Sequence, residues 1–261
     1  MMTTNLIQKN SFFIFSILFF TSCSQIKVST PSSRFTSPEA QGKLFSGSFR
    51  MEQVTGTEGT LDFGGDKIDN EMELRNNTSS LGLNFDIGLV EQVDLTIKSS
   101  MYTPNIYTVK FQILGDPRLK AQKGNKSLAA SIGYGSQEQS QSESDFELFS
   151  DSKNIEADII NTMLELSVIY GYRPENDTLV YTSVQAIKHD IDFKLKSTTN
   201  TTLDDKSFAL HTWAYGASLG ATRYFESYYL NIETSAQKVD WTNNDPMTYA
   251  FISMALGYNW N

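Results

Sequence analysis

From residue 81 to 90 every second side chain is apolar: Leu81, Leu83, Phe85, Ile87 and Leu89 alternate with Gly82, Asn84, Asp86 and Gly88. A period of two belongs to a β-strand, whose successive side chains point to opposite faces; a helix would need 3.6. The pattern returns at 93–102, 106–114, 127–135, 158–172, 207–223, 227–241 and 248–260. It is less clean at 43–55, and at 178–195 the apolar phase is ambiguous, which allows for a bulge. About ten strands follow, an even number as in single-chain bacterial barrels.

The connections differ in length. Those at 90–92, 173–177 and 225–226 are short, whereas 56–79, 136–156 and 196–206 are long and polar. The expected fold is therefore all-β: an antiparallel transmembrane barrel with short periplasmic turns and long extracellular loops. A soluble antiparallel sandwich also alternates, so three further features are weighed against it. The face opposite the apolar one is rich in Gly, Ala and Ser, which suits a crowded lumen. Aromatic residues gather near strand ends: Tyr102, Tyr107, Tyr134, Tyr170, Tyr172, Phe225, Tyr228, Tyr258 and Trp260. The chain ends in Leu256-Gly257-Tyr258-Asn259-Trp260-Asn261. This resembles the C-terminal insertion signal of bacterial outer-membrane barrels, although that signal normally ends on its aromatic residue.

At the other terminus, Lys9 precedes an apolar run from Phe12 to Phe20, followed by Thr21-Ser22-Cys23. The run is too short for a transmembrane helix of about 20 residues and has the shape of a secretory signal. Cys23 is the only cysteine, so no disulfide can form within the chain. The segment resembles the lipobox of bacterial lipoproteins, with Phe20 where leucine is usual. That resemblance implies a diacylglycerol on the Cys23 sulfur, cleavage just before it and, with Ser24 following, transfer to the outer membrane of a Gram-negative cell. The expected organisation is a signal peptide at 1–22, a lipidated flexible tether at 23–41, rich in Ser, Thr and Pro, and a barrel domain at 42–261. An even strand count places the barrel's N-terminus with its C-terminus, on the periplasmic side.

The polar face carries Asp86, Asp94, Lys98, Lys110, Glu165 and Glu233. In a narrow lumen such charges must pair, which gives a salt-bridged plug; the alternative is a narrow channel for small solutes or ions, or a proton-linked site. The net charge of −9 disfavours nucleic acid as a partner. The long connections are acidic: Glu58, Asp62, Asp66, Asp69, Glu71 and Glu73 in one, and Glu138, Glu143, Asp145, Glu147, Asp151, Glu156 and Asp158 in another. The 115–126 turn is basic, with Arg118, Lys120, Lys123 and Lys126. Asp66, Asp69 and Glu71 have no EF-hand spacing, so no metal site is expected.

Catalysis was tested on the two histidines. His189-Asp190 with Asp192 is the nearest approach to the Asp and Asp–His groups of the omptin proteases, but the motif context is absent. His211-Thr212-Trp213 lacks the serine of the lipid A deacylases. No catalytic residue, cofactor or enzymatic activity is expected, with an outer-membrane hydrolase as the less favoured alternative. The expected role is structural or interactive, through acidic surface loops. The expected partners are outer-membrane lipid and lipopolysaccharide, the barrel-assembly machinery and an extracellular ligand.

Overall fold

The computed structural model describes residues 25–62, 73–100, 103–142, 155–197, 207–241 and 245–261. Strands occupy almost all of them: β1 (Gln25–Pro31), β2 (Gly47–Asp62), β3 (Glu73–Val90), β4 (Val93–Ser100), β5 (Thr103–Leu114), β6 (Lys126–Ser142), β7 (Ile155–Glu175), β8 (Thr178–Ser197), β9 (Ser207–Phe225), β10 (Tyr228–Trp241) and β11 (Met247–Trp260). From β2 to β11 each strand pairs antiparallel with the next, and β11 returns to β2 between Trp260↔Gly47 and Ala255↔Glu52. The result is a closed ten-stranded barrel, with β1 added to the upper edge of β2. Closure leaves no free edge where strands are fully paired, and so allows a sheet to stand in hydrocarbon.

One end of the barrel carries Gly47, residues 91–92, 115–125, 176–177 and 226–227, and Asn261; it is the short-turn end. At the other end stand the strand ends Asp62 and Glu73, Ser100 and Thr103, Ser142 and Ile155, Ser197 and Ser207, and Trp241 and Met247; it is the end with the longer sequence gaps, the long-loop end. The connections are shorter than their polarity implies, because β2 runs on to Asp62, β3 starts at Glu73, β6 runs on to Ser142 and β7 starts at Ile155. A stretch such as Ser136-Gln137-Glu138-Gln139-Ser140 is polar on both faces, so it shows no apolar alternation although its backbone pairs with β7. Asp66, Asp69, Glu71, Glu143, Asp145, Glu147, Asp151 and Tyr102 lie outside the described residues.

The burial pattern is inverted relative to a soluble protein. Leu83, Phe85, Phe111, Ile132, Val168, Leu219, Ile232, Met254 and Leu256 face outward, and Ile252 is 72% exposed. Asn84, Thr96, Gln112, Ser183, Asn231 and Ser253 face inward and are buried. An apolar surface of this extent is unfavourable in water, and is what the hydrocarbon of a bilayer requires. Tyr107, Tyr134, Tyr170, Tyr172, Phe225, Tyr228 and Tyr258 all point outward.

Two expectations need correction. β8 contains no bulge: its ladder with β9 runs without a shift from Thr178 to Lys194. Its phase is ambiguous in sequence because both faces are apolar, with Val180 and Val184 outside and Leu179, Tyr181, Ile187, Ile191 and Phe193 inside. The larger correction concerns 23–41. Residues 25–31 are strand, and from Thr30 to Gln41 only Thr36 and Ser37 escape full burial. Ser, Thr and Pro are common in solvated tethers, but here small hydroxyls and short side chains pass through a narrow lumen whose polar walls supply their hydrogen bonds. Residues 1–24, with the signal segment and Cys23, lie outside the described residues.

Candidate functional site

The chain enters the barrel at the long-loop end. Gln25 pairs with Asp62 and Pro31 with Gly56, both on the upper half of β2. Residues 32–41 then cross the lumen and reach Gly47 at the short-turn end, so Gln25 and Asn261 lie at opposite ends of the barrel. The argument from even strand count placed them together; it holds for Gly47 but fails for the chain before it, which doubles back through the interior.

The wall reads the backbone of this segment. Glu233 accepts the amides of Arg34 and Phe35 at 2.7 and 2.9 Å, and the Tyr181 hydroxyl donates to the same carboxylate at 2.8 Å. Two consecutive amides converge on one carboxylate because Phe35 takes a left-handed φ of 46°, a conformation costly for a bulky residue and held here by its surroundings. The Gln185 amide donates to the Ser32 carbonyl at 3.1 Å, and Ser235 to the Ser32 hydroxyl at 3.1 Å. Lys110 Nζ donates to the carbonyls of Ser37 and Glu39 at 3.0 and 2.9 Å. Gln112 accepts the Ala40 amide at 2.6 Å, and Asp94 accepts that of Gln41 at 3.0 Å. Pro38 packs against Gly171, where an added Cβ would collide with its ring.

The segment's own charges are paired. Arg34 meets Glu165 at 2.6 Å, and Lys98 holds the other oxygen of Glu165 at 3.0 Å. Glu39 takes a forked bond from Arg173, at 2.7 Å from Nε and 2.6 Å from Nη2, while Arg173 lies 5.0 Å from the centre of the Tyr224 ring. Planar bidentate pairs of this kind combine strength with a fixed geometry. Below them Lys110 pairs with Asp94 at 2.8 Å, and Asp86 accepts from Ser48 and Thr96 at 2.8 and 2.6 Å, with Arg50 at 3.6 Å. In the basic 115–125 connection, Arg118 donates to Gln41 at 2.9 Å. Burial, with Arg173 nearby, holds the Arg118 guanidinium below its ordinary pKa. The space left between segment and wall beside Phe35, Arg50, Tyr224 and Asn259 is about 30 Å³. That is room for a water or two.

Asp86, Asp94, Lys98, Lys110, Glu165 and Glu233 thus all face the lumen, each bonded to a wall side chain or to the threaded segment. The sequence reading missed Arg34, Glu39, Arg50, Glu52 and Arg173. A signal for the three arginines existed: four of the six named residues are acids and two are bases, so further cations had to face inward. Arg50 and Arg173 occupy strand positions of the inward phase, and Arg34 is the arginine of the supposed tether.

The upper lumen is different. Ile159, Met163, Ile187, Ile191, Leu210, Ala214, Val239 and Trp241 pack there, each at most 4% exposed. His189, Thr212 and Trp241 form one cross-strand row, and His189 Nδ1, Thr212 Oγ1 and Trp241 Nε1 are buried with no hydrogen-bond partner among the described residues. His189 Nε2 meets Asn161, and its ring lies 5.7 Å from that of Trp241. His189 and Asp190 cannot act together as the omptin-like reading requires, since adjacent strand residues face opposite ways. Asp190 points outward, where it meets His211 at 2.8 Å and Lys188 at 2.6 Å. His211 shares that outer face with Trp213 and Tyr215, whose rings stack at 5.9 Å.

No protein-family model matches the chain, and no curated protein sequence does. Among solved structures it is similar to OmpTdeltaL8, a loop L8 deletion mutant of OmpT, an outer membrane protein of Vibrio cholerae, at 11% identity and a TM-score of 0.20, over 83% of this chain and 98% of that one. The chain has the all-β, closed antiparallel fold of an outer-membrane barrel, and the assignment rests on its topology and outward apolar face. The expectation of a chain without enzymatic activity is not carried forward: the wall holds a His211–Asp190 pair at 2.8 Å, which by itself assigns no reaction.

Proposed function

We propose that this protein is an integral outer-membrane lipoprotein barrel, closed to solutes at rest, that carries its own N-terminal segment through its lumen and presents it, with the acidic long loops, at the cell surface. The observation behind this reading is the passage of residues 32–41 through the lumen, with wall side chains bonded to their backbone. With the short-turn end periplasmic, as in barrels of this kind, Gln25 faces outward, and so does the lipid that Cys23 carries. The barrel is folded around the segment by the assembly machinery, and its outer face is solvated by outer-membrane lipid and lipopolysaccharide. The surface-exposed loops and N-terminal stretch bind an extracellular ligand.

The test is an epitope inserted between Ser24 and Gln25, probed on intact cells. Antibody binding without permeabilisation is expected; a signal seen only after permeabilisation would refute surface display. In planar bilayers the intact protein is expected to be silent. Steady conductance by the intact protein would favour the channel reading.

A further inference from the structure

The edge of β2 that faces β11 has two claimants. From Gly47 to Glu52 it pairs with β11, and from Gly56 to Asp62 with β1. Above Ala255 the strands part: among the described residues, Met247 to Met254 of β11 have no ladder partner on that side, although the opposite edge pairs with β10 from Met247 to Tyr258. β1 is likewise terminal in the sheet, with β2 as its one neighbour. Both edges are thus left without a ladder partner among the described residues. Ile252 and Met254 of β11 point outward, so this edge lies at hydrocarbon depth, where no water can serve its backbone groups. Where the strands part, a groove of about 510 Å³ opens, lined by Met51, Gln53, Leu81, Met254 and Leu256.

The lower ladder can be extended without a register shift. Continuing from Ala255↔Glu52, Met254 would meet Gln53, Ala250 would meet Thr57 and Met247 would meet Thr60. At the seam the faces agree, with Met254 and Gln53 both outward and Ser253 and Val54 both inward, and the Thr55 and Ser253 hydroxyls already meet there. Farther up, Thr55 and Thr57 are buried while their zipped partners Ile252 and Ala250 are exposed, so these two threonines must turn outward for the ladder to extend. A ladder of about the same length as that of β1 is therefore available on the same edge.

We infer that β1 and β11 exchange on the upper half of β2. In one state, described above, β1 occupies Gly56–Asp62 and the lumen anchors of residues 32–41 hold it there. In the other, β11 zips along β2 to Thr60, the seam closes over its full height, and β1 is released at the long-loop end. The unpaired edge of β11 drives the exchange and the Arg34–Glu165 and Glu39–Arg173 pairs oppose it. This requires the barrel but not its orientation in the membrane, so it can fail independently of surface display.

Disulfide trapping in the full-length protein tests it. Thr57→Cys is combined either with Thr30→Cys, its partner in β1, or with Ala250→Cys, its partner in the zipped register. Cross-links are assigned by peptide mass, and heat-modifiable migration confirms that each variant folds. Both links are expected. Adding Arg34→Ala should raise the 57–250 link at least threefold and lower the 30–57 link. A second set, Thr60→Cys with Lys27→Cys or Met247→Cys, serves if the first disturbs folding. A 57–250 or 60–247 link no stronger than that of a distant control pair in both backgrounds would overturn the exchange. So would loss of the β1 link with no gain in the other.

Discussion

The two halves of the lumen are filled by different chemistry. Toward the short-turn end the wall is polar, and nearly every charge has a counter-charge or an amide of the threaded segment: Asp94 with Lys110, Glu39 with Arg173, Glu165 with Arg34 and Lys98. Toward the long-loop end the wall is aliphatic and aromatic, with few polar side chains, His189 and Thr212 among them. The lower half reads a backbone by direction and register. The upper half excludes water by volume. A polar network is intolerant of losing one member, because the survivor is a buried unpaired charge; an aliphatic layer loses stability in proportion to the volume removed.

This contrast orders the expected effects. Arg173→Ala strands Glu39 in the lower lumen and should cost about 3–5 kcal/mol, measured by urea unfolding followed by tryptophan fluorescence. The double change Glu39→Gln with Arg173→Gln should recover much of that; a double variant as unstable as the single would show that packing, not charge pairing, matters there. Ile191→Ala in the upper lumen should cost about 3 kcal/mol through the cavity it leaves. Ser235→Ala removes one neutral bond to Ser32 and should cost about 1 kcal/mol. If Ser235→Ala proved worse than Ile191→Ala, the division between a reading half and a filling half would collapse.

The smallest effect belongs to the rim. Lys120 and Glu91 meet at 2.5 Å outside the lumen, and the hydrogen bond that Lys120 donates to Glu91 raises the Lys120 pKa. A raised lysine pKa stabilises below the unfolded value of about 10.4 and loses that contribution as pH rises through the folded one. The pair is fully solvated, so Lys120→Ala should leave the unfolding midpoint at neutral pH unchanged within error, and high salt should erase any difference.

Much of the wall was legible in the sequence, because alternation survives wherever one face meets lipid and the other meets polar groups. It failed at 56–62 and 136–142, where both faces are polar, and in β8, where both are apolar. The six lumen residues were legible for the same reason: charges on the inward phase of Leu83–Phe85, Leu95–Ile97 or Leu164–Leu166 neighbourhoods have nowhere else to point. What local pattern could not supply was their partner. Residues 30–41 carry no periodicity, since their bonds are made by their backbone to strands far away in the chain. Ser, Pro and Thr look alike in a solvated linker and in a threaded one. Only the excess of inward acids over bases hinted that cations such as Arg34 were owed to the interior.

The threading has a mechanical consequence. The ring through which the N-terminal segment passes is closed only by non-covalent pairing of the last strand with β2, over the short stretch Gly47–Glu52. Chain and ring are one molecule, so the arrangement is a lasso rather than a rod through a washer. Any group wider than the lumen on the N-terminal side acts as a stopper. Pulling on that group tightens the loop against its own wall, and the knot slips only if the six-residue clasp between β2 and β11 is prised apart first.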